Sequence, residues 1–393
     1  GLLTKRFQMP QVVGALLAGL LLGPALFNIL GETDFIEKVA ELGVIILMFC
    51  AGLETDFKEL KKTGAPSFVV ALIGVIVPLV GGFLVALFLT TPDAGTNAML
   101  QHIFVGVILS ATSVSITVET LKEMGKLSTR AGNTILSAAI IDDILGIIAL
   151  TFITAMADSS VNVWMVLLKI VGFFVFAGVF GFLFFKLYKK WTDYYHKDLR
   201  RFIIVAFVFC LLMSFCADRF FGVADITGAY LAGLLISGTK VRQYVSRRFN
   251  TLSYILCAPV FFASIGLKVV LPEMSTQIII FSIVLIVVAI LTKIVGCGLG
   301  ARMFGYSKAD SLRVGVGMIS RGEVALIVAN KGAAVGLMSA TLFGPVILVV
   351  VVTSIVSPIL LKLAFRNYDP ETEHQDNQLT QDVSTQIDMN QSP

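Results

Sequence analysis

The sequence predicts an all-α polytopic membrane protein whose two halves lie in the bilayer with opposite orientation. Its 393 residues are 56% hydrophobic and only 14% charged, a composition far from that of soluble domains. Runs of about 20 apolar residues recur along the chain and no segment alternates with a period of two, which favours a helical bundle over a β-barrel. Short motifs also recur at one fixed interval, and this third observation predicts an inverted repeat.

Twelve apolar spans emerge from a window of about 19 residues, and we number them one to twelve in chain order. Residues 1–10 resemble the end of a further helix, so we expect thirteen helices in the intact protein. The twelve spans are centred near Leu17, Ile46, Val77, Ser110, Asp142, Phe174, Phe209, Leu231, Phe261, Val287, Gly322 and Val350.

The basic residues of the loops support this count of spans. Most of the 30 Lys and Arg residues fall on alternate loops, and the remaining loops hold only Lys38, Arg219, Lys268 and Lys331. Positive residues favour the cytoplasmic side, so we expect a protein of the inner (plasma) membrane with a cytoplasmic C-terminus. The basic residues form no stripe with interleaved aromatic residues, so nucleic acid is not an expected partner, and lipid headgroups suffice to explain them.

Two pairs of motifs predict the inverted repeat. GALLAGL from Gly14 matches GAYLAGL from Gly228, and AGLETDF from Ala51 matches IGLKVVL from Ile265, both at an offset of 214 residues. Spans one and eight therefore correspond, and an interval of seven spans reverses their direction in the membrane. We expect a first repeat at 1–157, spans six and seven as a connection at 158–222, a second repeat at 223–366 and a disordered cytoplasmic tail at 367–393.

Span five carries two adjacent acids, Asp142 and Asp143, inside the apolar run ILSAAIIDDILGIIALTFIT. A charged side chain at the centre of a bilayer costs about 2.5 to 3.5 kcal/mol on insertion scales, so such residues usually serve an ion or proton pathway. A structural ion pair is the alternative. Lys293 on span ten could neutralise one aspartate, or its long side chain could extend to the membrane surface.

Spans four and eleven, which the repeat pairs, both carry polar clusters at mid-depth, so we predict that each is interrupted. Unwound backbone is tolerated in a membrane only inside protein or beside a cavity, and helix ends there can bind ions. Alternatively, the hydroxyl groups bond to carbonyls of an intact helix. We expect supporting roles for Arg321, Glu323 and Ser137. The two clusters are Ser110, Thr112, Ser113, Ser115 and Thr117, and Ser320, Arg321, Gly322 and Glu323.

Several motifs resemble those of bacterial monovalent cation:proton antiporters, in the NapA-like and Kef-like branch of the sodium/hydrogen exchanger family. They are QVVGALLAGLLLGP, ELGVIILMFCAGLETD, SATSVSIT, AIIDDILG, APVFFASIGLKV, LTKIVGCGLGA and ISRGEVALIV, and the likeness extends from Phe7 to Phe365. It implies an inverted-repeat antiporter fold with two discontinuous crossing helices. It also implies a homodimer, with spans one, two and seven to nine as the dimer domain, spans three to five and ten to twelve as a moving core, and span six as the link.

The resemblance also implies roles for individual residues. Asp143 corresponds to the principal carboxylate for cation and proton, Asp142 to the partner of Lys293, and Thr112 and Ser113 to the helix break. Members with two aspartates and this lysine are usually electrogenic and exchange two protons for one sodium. Kef-like potassium systems tend to have glutamine before a single aspartate and a cytosolic nucleotide-binding domain, neither of which this sequence contains.

We therefore expect secondary active exchange of a monovalent cation for protons, with Na⁺ expected ahead of Li⁺ or K⁺, and no cofactor. The alternatives are a Kef-type K⁺/H⁺ antiporter, a cation-coupled solute symporter and a channel, although nothing resembles the repeat of a selectivity filter. An enzyme is not expected, because His102, His196 and His374 fall in predicted loops or the tail, away from the aspartates.

Overall fold

A computed structural model describes residues 11–55, 57–90, 97–157, 162–194, 199–269, 275–338, 340–366 and 368. These residues form fifteen α-helices and one π-helical turn, Ser253–Cys257. The helices are α1 (Gln11–Leu22), α2 (Asp34–Glu54), α3 (Phe57–Leu89), α4 (Ala98–Ser110), α5 (Val114–Glu123), α6 (Arg130–Ala157), α7 (Val163–Tyr194), α8 (Leu199–Phe221), α9 (Asp225–Ser237), α10 (Arg242–Leu252), α11 (Ala258–Leu267), α12 (Thr276–Met303), α13 (Lys308–Gly317), α14 (Glu323–Ala334) and α15 (Ala340–Ala364).

The twelve predicted spans all coincide with helices. Span four consists of α4 and α5, span eleven of α13 and α14, and span nine of α10, the π-helical turn and α11. Within the described ranges, eight helical segments are long and apolar enough to cross a membrane, and α1 and α9 are shorter apolar helices. The predicted all-α membrane fold is confirmed. The expected additional helix and the tail, at 1–10 and 367–393, lie outside the described residues apart from Tyr368.

Several helices begin at hydroxyl residues that can be recognised in the sequence. Oγ1 of Thr33 accepts a hydrogen bond from the backbone N–H of Ile36 at 3.3 Å at the start of α2. Oγ of Ser275 accepts one from Ile278 at the start of α12, also at 3.3 Å. Such bonds satisfy N–H groups that the first turn of a helix leaves without a partner, so these two residues mark where α2 and α12 begin.

The helices pack as two bundles. The first bundle contains α1, α2 and α8–α11, and its most extensive contacts join α2 to α9 and α1 to α11. The second bundle contains α3–α6 and α12–α15, with the most extensive contacts between α3 and its neighbours α4, α6 and α12. Helix α7 packs against α8 and α6. This division follows the grouping of spans expected from the family resemblance.

Close contacts between glycines and facing backbone relate the two halves of the first bundle. At each of four glycines a Cβ atom would overlap with a carbonyl oxygen of the facing helix, so only glycine allows the helices to approach so closely. An offset of 214 residues converts each contact of α1 with α11 into a contact of α9 with α2. The four contacts are Gly19 with Ala263, Gly233 with Phe49, Gly266 with Leu16 and Gly52 with Tyr230.

The offset read from two sequence motifs is thus reproduced in three dimensions by residues on both sides of each contact. Adjacent spans run in opposite directions, so spans seven apart are antiparallel in the membrane, which is the arrangement of an inverted repeat. The repeat boundaries at 157, 222 and 366 remain predictions.

Candidate functional site

The two interrupted spans cross where their helices break. The backbone N–H of Ser113 donates to the carbonyl of Ser320 at 2.8 Å. Oγ of Ser320 donates in return to the carbonyl of Ser113, also at 2.8 Å. Each break therefore provides hydrogen-bond partners for backbone groups that the other leaves without a helical partner, as buried backbone in a membrane requires.

Additional contacts hold the crossing together. Oγ1 of Thr117, in the first turns of α5, donates to the carbonyl of Gly317 and lies 2.8 Å from Oγ of Ser320. Gly322 lies directly against Ser113, because a Cβ atom at Gly322 would be 2.6 Å from the serine Oγ. The predicted interruptions are therefore present, and the alternative of intact helices with internally bonded hydroxyls does not hold at the crossing.

The breaks leave helix ends pointing into the interior of the second bundle. Ser113 precedes α5 in an extended conformation and does not cap it through a side-chain hydrogen bond. Gly322, which precedes α14, has no side chain that could cap it. The ends of α4 and α13 contribute carbonyl dipoles, and the starts of α5 and α14 contribute amide dipoles. A cation can be stabilised near the first set of ends and an anionic group near the second.

Asp142 and Lys293 form a fully buried ion pair. Nζ of Lys293 lies 2.9 Å from Oδ1 of Asp142, and the side chains are 0% and 1% exposed respectively. Lys293 therefore does not extend to the membrane surface. Oδ2 of Asp142 is also buried and accepts no hydrogen bond, so one face of this carboxylate retains acceptor capacity.

Asp143 is likewise buried, at 7% exposure, in the middle of α6. Successive residues of an α-helix point about 100° apart, because a turn contains 3.6 residues. Since Asp142 is directed toward Lys293 on α12, Asp143 projects from a different side of α6. The two carboxylates thus have different surroundings despite being neighbours in sequence.

Arg321 lies in the second break and is completely buried. Its Nη1 contacts the carbonyl of Met318 at 3.4 Å and Oγ1 of Thr112 at 3.5 Å, while Nε and Nη2 have no hydrogen-bond partner. Asp142 is near enough to attract this guanidinium electrostatically. Arg321 therefore adds positive charge beside the Asp142–Lys293 pair and joins the second break to Thr112 of the first.

Two other predicted supporting residues are placed differently. Ser137 is buried in α6, but its Oγ donates to the carbonyl of Asn133 at 2.7 Å within the same helix. The backbone of Glu323 begins α14, whereas its side chain lies outside the described residues. A pairing of Glu323 with Arg321 remains a prediction.

Sequence reasoning overlooked two residues of α15 that hold the second break. Oγ1 of Thr353 accepts a hydrogen bond from the backbone N–H of Arg321 at 3.2 Å, and Oγ of Ser354 donates to the carbonyl of Arg321. Both are completely buried. Hydroxyls near the middle of span twelve, the repeat mate of span five, were the available signal, although such residues often bond only within their own helix.

Over the described ranges no three His, Cys, Asp or Glu side chains gather as they do around a structural metal ion. The crossing brings together hydroxyls and carbonyl ends, and the two buried aspartates lie on α6, which packs against α5 and α13. Carboxylate, hydroxyl and carbonyl oxygens are ligands suited to hard cations. Buried acids beside two crossing broken helices define a secondary transporter, in which discontinuous helices bind ions near the middle of the membrane.

The chain belongs to the sodium/hydrogen exchanger family, since the family described as "Sodium/hydrogen exchanger, transmembrane" matches residues 1–366. The Na(+)/H(+)-K(+) antiporter GerN of Bacillus cereus is 38% identical over 93% of this chain and 92% of its own length. A Na(+)/H(+) antiporter of Enterococcus hirae is 39% identical over 92% and 93% respectively.

A solved structure also shares the fold. The sodium proton antiporter MjNhaP1 from Methanocaldococcus jannaschii superimposes with a TM-score of 0.64 over 93% of this chain and 92% of that one, at 19% identity. This likeness supports the inverted-repeat antiporter fold.

Proposed function

We propose that the protein exchanges Na⁺ for protons across the membrane by alternating access. The observation that carries the proposal is the position of Asp143, buried beside the Asp142–Lys293 pair on a helix next to the two crossing breaks. The curated relatives from Bacillus cereus and Enterococcus hirae are both named as Na⁺/H⁺ antiporters. Their similarity over nearly the whole chain supports a common activity.

Competition for one carboxylate supplies the coupling in this mechanism. Asp143 binds either Na⁺ or a proton, and hydroxyls and carbonyl ends at the crossing supply further oxygen ligands, with Thr112 and Ser113 at the break. When Asp143 is empty and charged, the second bundle changes sides least readily, because a charged carboxylate in the apolar interior of the membrane is costly. When a proton or Na⁺ neutralises Asp143, the bundle changes sides more readily. Transport of Na⁺ in one direction is therefore tied to transport of protons in the other.

Asp142 and Lys293 have a different role in this proposal. Their ion pair places one negative and one positive charge in the part of the bundle that binds the ion. If protonation and ion binding change that charge balance during a cycle, net charge crosses the membrane. Transport then responds to voltage by about 2.3 kcal/mol per elementary charge per 100 mV.

We further propose a homodimer in the inner membrane with a cytoplasmic C-terminus, acting in pH homeostasis. The alternating distribution of loop lysines and arginines supports this orientation. In this arrangement the second bundle, which contains the acids, moves against the first bundle, which forms the dimer contact.

Potassium is the second candidate cation. The name of the Bacillus cereus relative includes K⁺ as well as Na⁺, and carboxylate and hydroxyl ligands suit both ions. A solute symporter would instead require an organic substrate that moves with the cation.

Purified protein in liposomes, with a pH-sensitive dye inside, tests the proposal. Addition of Na⁺ should change the dye signal as protons move, whereas Li⁺, K⁺ and choline should give weaker signals or none. A K⁺ signal equal to that of Na⁺ would favour the second candidate.

Asp143→Asn should abolish the Na⁺-dependent dye signal while the protein remains folded. Asp218→Asn, which changes an exposed acid of α8, is the matched control, and full exchange by Asp143→Asn would contradict the site.

A further inference from the structure

The chain that leaves α15 turns back onto the second bundle, at the end where α5 and α12 also finish. Nζ of Lys126, between α5 and α6, lies 3.9 Å from the centre of the Tyr368 ring. The guanidinium carbon of Arg313, on α13, lies 5.2 Å from the same centre. Cations this close to an aromatic ring attract its face electrostatically, so Tyr368 is held against two separate elements of the bundle.

Arg313 also fixes the last turn of α15. Its Nε donates to the carbonyl of Ala364, the last residue of that helix, at 3.1 Å. Its guanidinium lies 5.1 Å from the centre of the Phe365 ring, which is itself 5.9 Å from the ring of Tyr368. Its Nη1 forms an ion pair with Asp310 at 2.6 Å. The chain is therefore directed across the end of the bundle as far as Tyr368.

This end of the bundle carries an excess of positive charge. Arg130 lies over the ring of Tyr306 at 4.1 Å, and Nη1 of Arg302 donates to the carbonyl of Tyr306 at 2.6 Å, so both arginines meet at the loop between α12 and α13. We call residues 123–130, 302–313 and 362–366 the basic face. Seven basic residues against two acids, Glu123 and Asp310, give it a net charge of +5. The basic residues are Lys126, Arg130, Arg302, Lys308, Arg313, Lys362 and Arg366.

The sequence after Tyr368 has the complementary charge. Residues 369–393 contain six acids and neither lysine nor arginine. Such a segment, when extended, spans up to about 80 Å, whereas one helix with its side chains is about 10 Å across. From its attachment at Tyr368 the segment can therefore reach every part of the basic face. The acids are Asp369, Glu371, Glu373, Asp376, Asp382 and Asp388.

We propose that the basic face is a docking surface for residues 369–393 of the same chain. Because Tyr368 is already held there, the segment docks within one molecule, at an effective concentration on the order of millimolar. Single exposed ion pairs are weak and are screened by salt, so docking depends on several acids acting together. The proposal does not depend on which ion the protein transports.

Modification of lysines in the purified full-length protein tests the docking. A water-soluble acetylating reagent followed by mass spectrometry gives a reaction rate for each lysine. We compare the unchanged protein with a variant in which all six acids are changed to Asn or Gln. At low salt Lys308 and Lys362, which are exposed on the basic face, should react about threefold faster in the neutralised variant, because docked acids shield them.

Two controls show that a faster reaction reports docking. Lys38, at the opposite end of α2 and paired with Glu41, should react equally in both proteins, and this equality also shows that the variant is folded. A second variant that ends at Tyr368 should react like the neutralised one. At about 1 M salt, where the Debye length falls to about 3 Å, the difference at Lys308 should disappear.

Equal rates at Lys308 and Lys362 in all three proteins at low salt would overturn the proposal. Protection that survives neutralisation of the six acids, and that requires added phosphatidylglycerol, would assign the basic face to lipid headgroups and would also overturn it. Neither result would bear on exchange at Asp143, which the liposome experiment tests separately.

Discussion

Nζ of Lys293 donates a hydrogen bond to Oδ1 of Asp142 across 2.9 Å, joining α12 to α6 inside the second bundle. Both side chains are removed from water, so neither charge has solvent available if the other is deleted. Breaking a buried pair by removing one member costs about 3 to 5 kcal/mol, whereas removing both is often close to neutral.

A double-mutant cycle on this pair should therefore be strongly non-additive. We expect Asp142→Asn and Lys293→Gln each to lower the thermal stability of purified protein, and the double variant to be more stable than the sum of the two losses predicts. Unfolding followed by intrinsic fluorescence in one detergent measures all four proteins. Simple additivity would show that the two charges do not stabilise one another.

Lys293→Gln should also separate charge movement from exchange. Removing the ammonium changes the charge of the second bundle, where we propose that the ion binds, so we expect smaller pump currents on a solid-supported membrane. Exchange detected by dye, with the membrane potential clamped by K⁺ and valinomycin, should persist at a reduced rate. Currents equal to those of the unchanged protein would exclude a role of the lysine in electrogenic coupling.

Gly322→Ala should disturb the crossing of the two breaks. The added Cβ would lie 2.6 Å from Oγ of Ser113, and overpacking of this kind costs about 1 to 3 kcal/mol. We expect lower thermal stability together with slower exchange, since the helix ends at the proposed ion site are displaced. Gly178→Ala on α7, where a Cβ would meet no atom within 4 Å, is the control. It should leave exchange unchanged and should not lower thermal stability, because alanine has the higher helix propensity.

Gly52→Ala should destabilise the first bundle. A Cβ atom there would overlap with the carbonyl oxygen of Tyr230, and backbone cannot move aside as a flexible side chain can, so we expect a loss of about 1 to 3 kcal/mol or more. Gly64→Ala on α3 meets open space and should instead gain up to about 1 kcal/mol from helix propensity. Equal melting temperatures for the two variants would contradict the close packing of α2 on α9.

Much of the fold and part of the site follow from the sequence for identifiable physical reasons. Apolar runs long enough to cross a bilayer locate the spans. Buried charges such as Asp142 and Lys293 form ion pairs because the lipid offers no alternative partner. The polar clusters around Ser113 and Ser320 mark the breaks, because unwound backbone needs local hydrogen-bond partners.

Other features depend on geometry that sequence does not contain. Hydropathy fixes neither the rotation of α15, which turns Thr353 and Ser354 toward Arg321, nor the π-helical turn in span nine. Ser137, about one turn and a half before the acids in sequence, bonds to its own helix, and its supporting role remains a prediction.

Ser113 and Ser320 belong to different halves of the chain, and each donates one hydrogen bond to the other. Neither half alone therefore contains a complete crossing. An ancestor of half this length would have needed two copies of itself, inserted upside down relative to each other, to assemble the same centre. Within one chain the two halves are free to differ, and span five carries Asp142 and Asp143 at mid-span whereas its repeat mate, span twelve, carries no acid.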